Sequence, residues 1–402
     1  MKTKAFPLFF VTLLTLIACG HQEEVDPPTP ETVDFVPNVG EVRLLFGAGT
    51  AGETKIYNYC PSIFIENDAE YVYYCTNKDE GNVTDYVGYR KGTIDETKTT
   101  INYTDVDYVL EHGESGSWDS RHACDPSVIK GKFQFHGETY RYLMAYLGCV
   151  PSDCTLNETG IAVAKKPSGP WVKCDYAQDG TTKINPIVAY SDYSMNTYSW
   201  GTGQPCVVSI DNEGRVLLFA TIGATNGTYT IVREYDFSNI DEYKLIREKK
   251  VLSDGIVGNT SGANIICNAD FAYDVTNRRV LMAKGRQFFG TDGKSPDFIA
   301  DTIDVYYIDD TEGTNVGDVL FAGNNTTKSW KLISSVNKDL TGFLRNHNTG
   351  LITDPYGHLL NTERLGVAFT RSDEAVSNNW SYLSTYRIYA TSFNFPSAYF
   401  PQ

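Results

Sequence analysis

Five stretches of the chain alternate apolar and polar positions, turn, and alternate again. The first runs Cys60-Pro61-Ser62-Ile63-Phe64-Ile65, turns at Glu66-Asn67-Asp68 and resumes as Tyr71-Val72-Tyr73-Tyr74. The second runs Asp125-Pro126-Ser127-Val128-Ile129, turns near His136-Gly137 and resumes as Tyr140-Arg141-Tyr142-Leu143. The third runs Gln204-Pro205-Cys206-Val207-Val208, turns at Asp211-Asn212-Glu213-Gly214 and resumes as Val216-Leu217-Leu218-Phe219. The fourth runs Asn268-Ala269-Asp270-Phe271-Ala272-Tyr273, turns at Thr276-Asn277 and resumes as Val280-Leu281-Met282-Ala283. The fifth runs His347-Asn348-Thr349-Gly350-Leu351-Ile352 and turns at Pro355-Tyr356-Gly357. A period of two puts successive side chains on opposite faces of a strand, so each stretch predicts a hairpin. No amphipathic helix of useful length stands out.

The stretches begin at 60, 125, 204, 268 and 347, so 64 to 79 residues separate successive starts. Two strands and a turn use about 20 of those, leaving room for two more strands in every repeat. Four-stranded units repeated radially predict an all-β, five-bladed β-propeller around a central channel. An irregular pair of β-sandwiches is the alternative arrangement. The 27 Tyr and 20 Phe suit strands packed face to face between blades.

The N-terminus reads differently. Lys2 and Lys4 precede an apolar run from Ala5 to Ile17, and Leu16-Ile17-Ala18-Cys19 has the form of a lipobox. Residues 1–18 are therefore expected to be a lipoprotein signal peptide, with Cys19 the lipidated residue. An ordinary signal peptide with a chance Cys is the alternative. Residues 19–38 are rich in acid and Pro and have little to bury, which predicts a solvated tether. Residues 39–402 form the propeller domain. Gly20, where Asp would favour inner-membrane retention, points to an outer-membrane lipoprotein facing the periplasm or the cell surface. The acidic run resembles surface-export signals of lipoproteins in the Bacteroidetes.

Removing Lys2 and Lys4 takes the net charge from −16 to −18, which argues against nucleic acid as a partner. Eight Cys remain besides Cys19, with no CxxC or Cys/His zinc spacing, so disulfides are expected and a metal site is not. Cys60 and Cys75 bracket one predicted hairpin and Cys124 and Cys149 another. A cross-strand bridge is possible in each; free buried Cys is the alternative.

Ile161 to Trp171, ending Lys165-Lys166-Pro167-Ser168-Gly169-Pro170-Trp171, resembles the outer-strand signature of glycoside hydrolase family 43. Lys166 stands where that family has Ser. Asp125-Pro126-Ser127-Val128 and Cys60-Pro61-Ser62-Ile63 resemble its inner-strand starts. His347 with Thr349 to Asp354 and Gly357 resembles its fifth-blade Gly-His motif, with Asn346 in place of the Gly. The resemblance implies a glycosidase working with carboxyl groups from different blades across one funnel. Cys60, Gln204 and Asn268 are not carboxylates, which departs from that pattern. The candidate catalytic residues are Asp125, His347, Asp119 and Asp270. The His resembles the acid of the family 117 anhydrogalactosidases.

The candidate sugar-binding residues are Trp118, Arg121 and His122, in the loop before Asp125, then Trp200 before Gln204, with Gln204 and Asn268 themselves. Indole faces stack on pyranose rings, whereas Trp171, Trp330 and Trp380 are expected to pack beside outer strands. The leading expectation is a glycosidase-like protein acting on an extracellular oligosaccharide with altered catalytic groups. A non-catalytic glycan-binding lipoprotein is the second, and a structural or protein-binding propeller the third. No cofactor is required by this chemistry; the channel is the place for a structural Ca²⁺, which the sequence leaves open. A monomer is expected, touching the membrane only through its lipid.

Overall fold

The computed structural model describes residues 33–47, 56–78, 83–151, 154–257, 265–286, 299–323, 328–360, 363–372, 383 and 385–400. The signal segment, Cys19, the first part of the tether and Trp380 lie outside the described residues. Strands dominate; the α-helix Lys338–Thr341 is a single turn.

The strands form one nine-stranded sheet and three four-stranded sheets; the nine-stranded sheet divides at a parallel pairing into two antiparallel units, which makes five in all. Unit I holds β2 (Asn58–Glu66), β3 (Ala69–Thr76) and β4 (Tyr86–Ile94), with β5 (Ile101–Tyr103) and β6 (Asp107–Leu110) both on β4. Unit II is β7 (His122–Phe135), β8 (Glu138–Cys149), β9 (Glu158–Ala164) and β10 (Trp171–Lys173). Unit III is β11 (Gly201–Ser209), β12 (Arg215–Ala224), β13 (Gly227–Asp236) and β14 (Lys244–Lys250). Unit IV is β15 (Ala269–Asp274), β16 (Arg279–Gly285), β17 (Ile303–Asp309) and β18 (Lys331–Val336). Unit V is β19 (Arg345–Thr353), β20 (Arg364–Ser372), β21 (Arg387–Asn394) and β1 (Arg43–Leu44), so the last unit takes its outer strand from the N-terminal side.

Apolar positions on both faces of the units pair them in chain order. Phe64, Tyr73, Val128 and Met144 join I to II, and Ile129, Leu143, Val207 and Leu218 join II to III. Val208, Phe219, Phe271 and Trp330 join III to IV; Ala272, Leu281, Leu351 and Val367 join IV to V. Ile352 and Ala368 of V share a further cluster with Ile63 and Val72 of I. The aromatic richness goes into these layers: Phe219 stacks on Phe271 with ring centroids 3.9 Å apart. Trp171 stands edge-on to Tyr73, and buried Trp330 donates its indole N–H to the Leu252 carbonyl. Both therefore pack, as expected.

The inner strands share a device at their starts. Cys60, Asp125, Gln204, Asn268 and Asn348 all have positive φ, between 42° and 54°. A register shift accompanies four of them, between Tyr59 and Ser62, Cys124 and Ser127, Gly203 and Cys206, and His347 and Gly350. These are β-bulges, which re-aim a side chain at the cost of ladder pairing. The fifth repeat therefore begins at Asn348, one residue later than the His347 expected. A slip of one residue reverses the direction of every side chain.

Two positions after each bulge a side chain reaches the next unit. Ser62 Oγ accepts from Val128 N–H at 3.2 Å and Ser127 Oγ from Val207 N–H at 3.0 Å. Cys206 Sγ accepts from Phe271 N–H at 3.3 Å, and Asp270 Oδ2 from Leu351 N–H at 2.6 Å. Gly350 occupies the fifth such position, where a Cβ would collide with the Pro61 carbonyl oxygen. There β19 approaches β2 closely enough to pair with it in parallel, Ile352 with Ile63.

The cysteine pairing departs from both expected bridges. Cys75 is joined to Cys124, linking β3 of unit I to β7 of unit II. The bulges explain this: Cys60 is displaced from the partner of Cys75, which faces Tyr59, while Cys124 faces Leu147 and Cys149 faces His122.

Candidate functional site

The five positive-φ residues, together with Asp270, line a single cavity of ≈20 Å³ where the inner strands begin. That is room for about one water, so a sugar could only be met at the cavity's mouth. Asp125, Gln204, Asn268 and Asp270 are thus brought together, with Cys60 and Asn348 beside them. His347 does not line it.

Asp125 is 8% exposed. Its N–H points at Cys75 Sγ, 2.8 Å away, and its Oδ1 lies 3.3 Å from Cys124 Sγ. Burial raises its pKa to about 6, with the nearby Asp85 and Cys154 charges adding to the effect. Hydrogen bonds from the Cys60 thiol and the Gln204 N–H oppose it. Burial, then the Asp125 charge, push Cys60 well above the usual thiol range, so it stays protonated and donates. Asp270 is likewise raised to about 6 by desolvation, against hydrogen bonds from the Cys206 thiol and the Leu351 and Phe271 N–H groups. Gln204 and Asn268 bind each other: Gln204 Nε2 donates to Asn268 Oδ1, and Gln204 Oε1 accepts from Asn268 N–H at 2.7 Å. With those amides engaged and a thiol at Cys60, the cavity falls short of the roughly six to eight oxygens that Ca²⁺ takes. The residues do not fit that ion.

The remaining sequence candidates do not line the cavity. Asp119 is buried in an ion pair with Lys173 and accepts from Tyr146 OH at 3.1 Å and Ser117 Oγ at 2.9 Å. The Trp118 indole covers Gly148 and Gly160, where any Cβ would meet it, and its N–H reaches Asp175 Oδ1 at 3.3 Å. Arg121 is exposed and donates to the Val83 carbonyl. His347 is buried with Nδ1 accepting the Ala300 N–H at 3.2 Å; burial first, then the Arg345 charge, lower its pKa to about 3. A neutral imidazole in that setting has no imidazolium proton to give near pH 7. Trp200 packs over Gly203 and Gly223 beside Tyr59, Cys60 and Leu147, close to the rim. Tyr198 in the same loop is 90% exposed, an aromatic face that periodicity could not single out.

His122 belongs to a separate group that sequence reasoning missed. Its Nδ1 lies 2.7 Å from Asp85 Oδ2, Asp85 Oδ1 accepts from Tyr57 OH at 2.7 Å, and its Nε2 lies 3.7 Å from Cys154 Sγ. Burial works against a charged His122, but the hydrogen bonds to Asp85 and Cys154 outweigh it and raise the pKa to about 10. Cys154 falls to about 6, through a hydrogen bond from Cys149 first and then through His122. The one signal in the sequence was the spacing of Cys149 and Cys154, four residues between them, since Asp85 and Tyr57 come from another unit.

Antiparallel units of strands, packed in chain order, with inner-strand starts converging on one cavity, define an all-β fold. The solved structures agree on the fold. A family 117 glycoside hydrolase produced by the marine bacterium Zobellia galactanivorans is similar at a TM-score of 0.53 and 12% identity, over 88% of this chain and 91% of that one. An α-L-arabinofuranosidase from Lactobacillus brevis is similar at a TM-score of 0.54 and 8% identity, over 85% and 92%. No protein-family model matches the chain, and no curated protein matches it in sequence.

Proposed function

We propose that the five units close as a five-bladed β-propeller and that the protein is a glycosidase-like hydrolase acting on an extracellular oligosaccharide at the mouth of the channel. Asp125 and Asp270 are the two carboxyl groups of that site. The observation that carries this reading is that both line one cavity and both are raised to about 6 by burial. Carboxyl groups held near the working pH are suited to exchanging protons with a leaving oxygen and a water. Asp270 also links units IV and V, but Ser62, Ser127 and Cys206 do that work elsewhere without a carboxyl group. Its acid is surplus to the fold.

The residue series separates chemistry from structure. Asp125→Asn keeps shape and removes the ionisable group. Asp270→Ser restores the neutral link used by the other units. Each is expected to cut turnover by at least about 100-fold while sugar binding persists. Product analysis beside calorimetry, on a panel of neutral plant and algal oligosaccharides, reads both quantities. Unreduced turnover in both variants would sink the assignment.

A second reading rests on Cys60, Gln204, Asn268 and Asn348, four of five rim residues that are not carboxylates. In it the protein is a surface lipoprotein that binds glycan without cleaving it. Wild-type protein would then show heat of binding but no product, and Trp200→Ala or Tyr198→Ala would lose affinity. In either reading the partner is a glycan, the protein is a monomer, and the membrane is met through lipid on Cys19 at the outer membrane.

A further inference from the structure

A second cluster of reactive side chains lies outside the proposed carbohydrate site. His122 opens β7 and Cys149 closes β8, and the two are direct partners across the hairpin. Strand pairing alone therefore brings an imidazole and a thiol to one place. Cys154 lies at the same place, with its own backbone at φ 55° and its N–H donating to the Pro151 carbonyl at 3.2 Å. One donor atom from each of the three residues lies within 4.8 Å of the other two. His122 and Cys149 are buried while Cys154 is partly exposed, which leaves a side from which an ion can enter.

We propose that His122, Cys149 and Cys154 bind one divalent cation of the zinc class, with Asp85 orienting the imidazole. Zinc bonds of about 2.0–2.1 Å to nitrogen and about 2.3 Å to sulfur, at tetrahedral angles, set the N···S distance near 3.6 Å. The observed separation of His122 Nε2 and Cys154 Sγ is 3.7 Å. A metal-bound imidazole ordinarily holds a carboxylate on its other nitrogen. Here Asp85 Oδ2 is 2.7 Å from Nδ1, and Tyr57 OH fixes the carboxylate in turn. Two sulfurs and one imidazole select zinc or a similar borderline ion over calcium or magnesium, which take oxygen. Binding requires both sulfurs as thiolates and His122 Nε2 free of its proton, so the protons these groups hold pass to the solvent, and a fourth position is left for water or a further ligand. The competing fate is a disulfide between Cys149 and Cys154, which would use both sulfurs and leave the Tyr57–Asp85–His122 chain without a ligand. The second group of this kind, Cys60 with Cys75 and Asp125, has its Cys75 sulfur committed to Cys124. None of this depends on whether the protein cleaves or binds glycans.

The test uses the full chain, mildly reduced, supplied with Zn²⁺ and desalted. Elemental analysis is expected to find one zinc per chain, and Co²⁺ in its place to give a thiolate-to-cobalt charge-transfer band. Cys149→Ser and Cys154→Ser should each abolish both signals, and Cys60→Ser should keep them. Asp85→Asn should weaken zinc binding about 10–100-fold while leaving the stoichiometry at saturation. Zinc content unchanged in both ligand variants would overturn the site. So would wild-type protein with no cobalt band, or protein isolated without reductant that holds a Cys149–Cys154 disulfide and no metal. If the serine variants fail to fold, the wild-type cobalt spectrum decides alone.

Discussion

At Asp125 the fold encloses a carboxyl group between a disulfide, a thiol and one backbone N–H. Those partners do not replace the water it loses, so its acid form is favoured up to about pH 6, against 3.8 for the free group. An acid with a raised folded pKa makes the native state bind the extra proton. Stability is then highest below pH 3.8 as far as this group is concerned, and is lost as pH rises through 6. The shift corresponds to about 3 kcal/mol for this buried group. Asp125→Asn is therefore expected to stabilise the protein at pH 7.5, by up to that amount, and to make little difference near pH 4. Chemical unfolding of both proteins at the two pH values checks this. Equal stability at pH 7.5 would mean that Asp125 keeps an ordinary carboxylate pKa, which would remove the basis for its proposed role. Asp125 was legible as an acid opening an inner strand. Its disulfide neighbours were not, because they depend on bulges that displace Cys60 and bring Cys75 to Cys124.

Among elements, the inner strands were legible because their alternation is strong; the expected starts lie one to three residues from the observed Asn58, His122, Gly201 and Ala269, but four of them coincide with the positive-φ residues. The fifth was misread by one position, since His347 is the more conspicuous residue for chemistry and Asn348 is the one in the bulge. What no pattern of apolar positions could reveal is the polar link two residues further on. It uses Ser, Ser, Cys and Asp in turn, so it has no single residue signature. The link makes a specific demand. Ser127→Ala leaves the Val207 N–H without an acceptor in a buried place and is expected to cost about 1–3 kcal/mol. Gly350→Ala meets the Pro61 backbone instead of a flexible side chain, so it should cost more than Ser127→Ala by urea unfolding. The reverse order would show that parallel pairing of β19 with β2 does not depend on that close approach.

Across the whole molecule, the N-terminal side joins the fold well after the proposed lipid anchor. Phe35 and Val36 are buried, and Val36 packs with Ile63, Ile352 and Ala368 between units V and I. Arg364 reaches both Asp34 and the Val36 carbonyl, and β1 completes unit V a few residues later. The domain therefore starts before Val39, where the change in composition had placed it. Composition marks where acid and Pro thin out, not where the first buried side chain falls, and Asp34 and Pro37 belong to the packed part. Anchor and fold should then be separable between Cys19 and about residue 33. Cys19→Ala is expected to move the protein from the membrane to the soluble fraction without changing its melting temperature. Removing residues up to and including Val36 should instead lower it, since two buried apolar side chains are lost, at about 1.5–3 kcal/mol each. Fractionation and thermal unfolding of the two variants give the answer. Membrane association that survives Cys19→Ala would refute the lipid anchor, and a truncated protein as stable as the parent would refute the packing of this segment as a closing element.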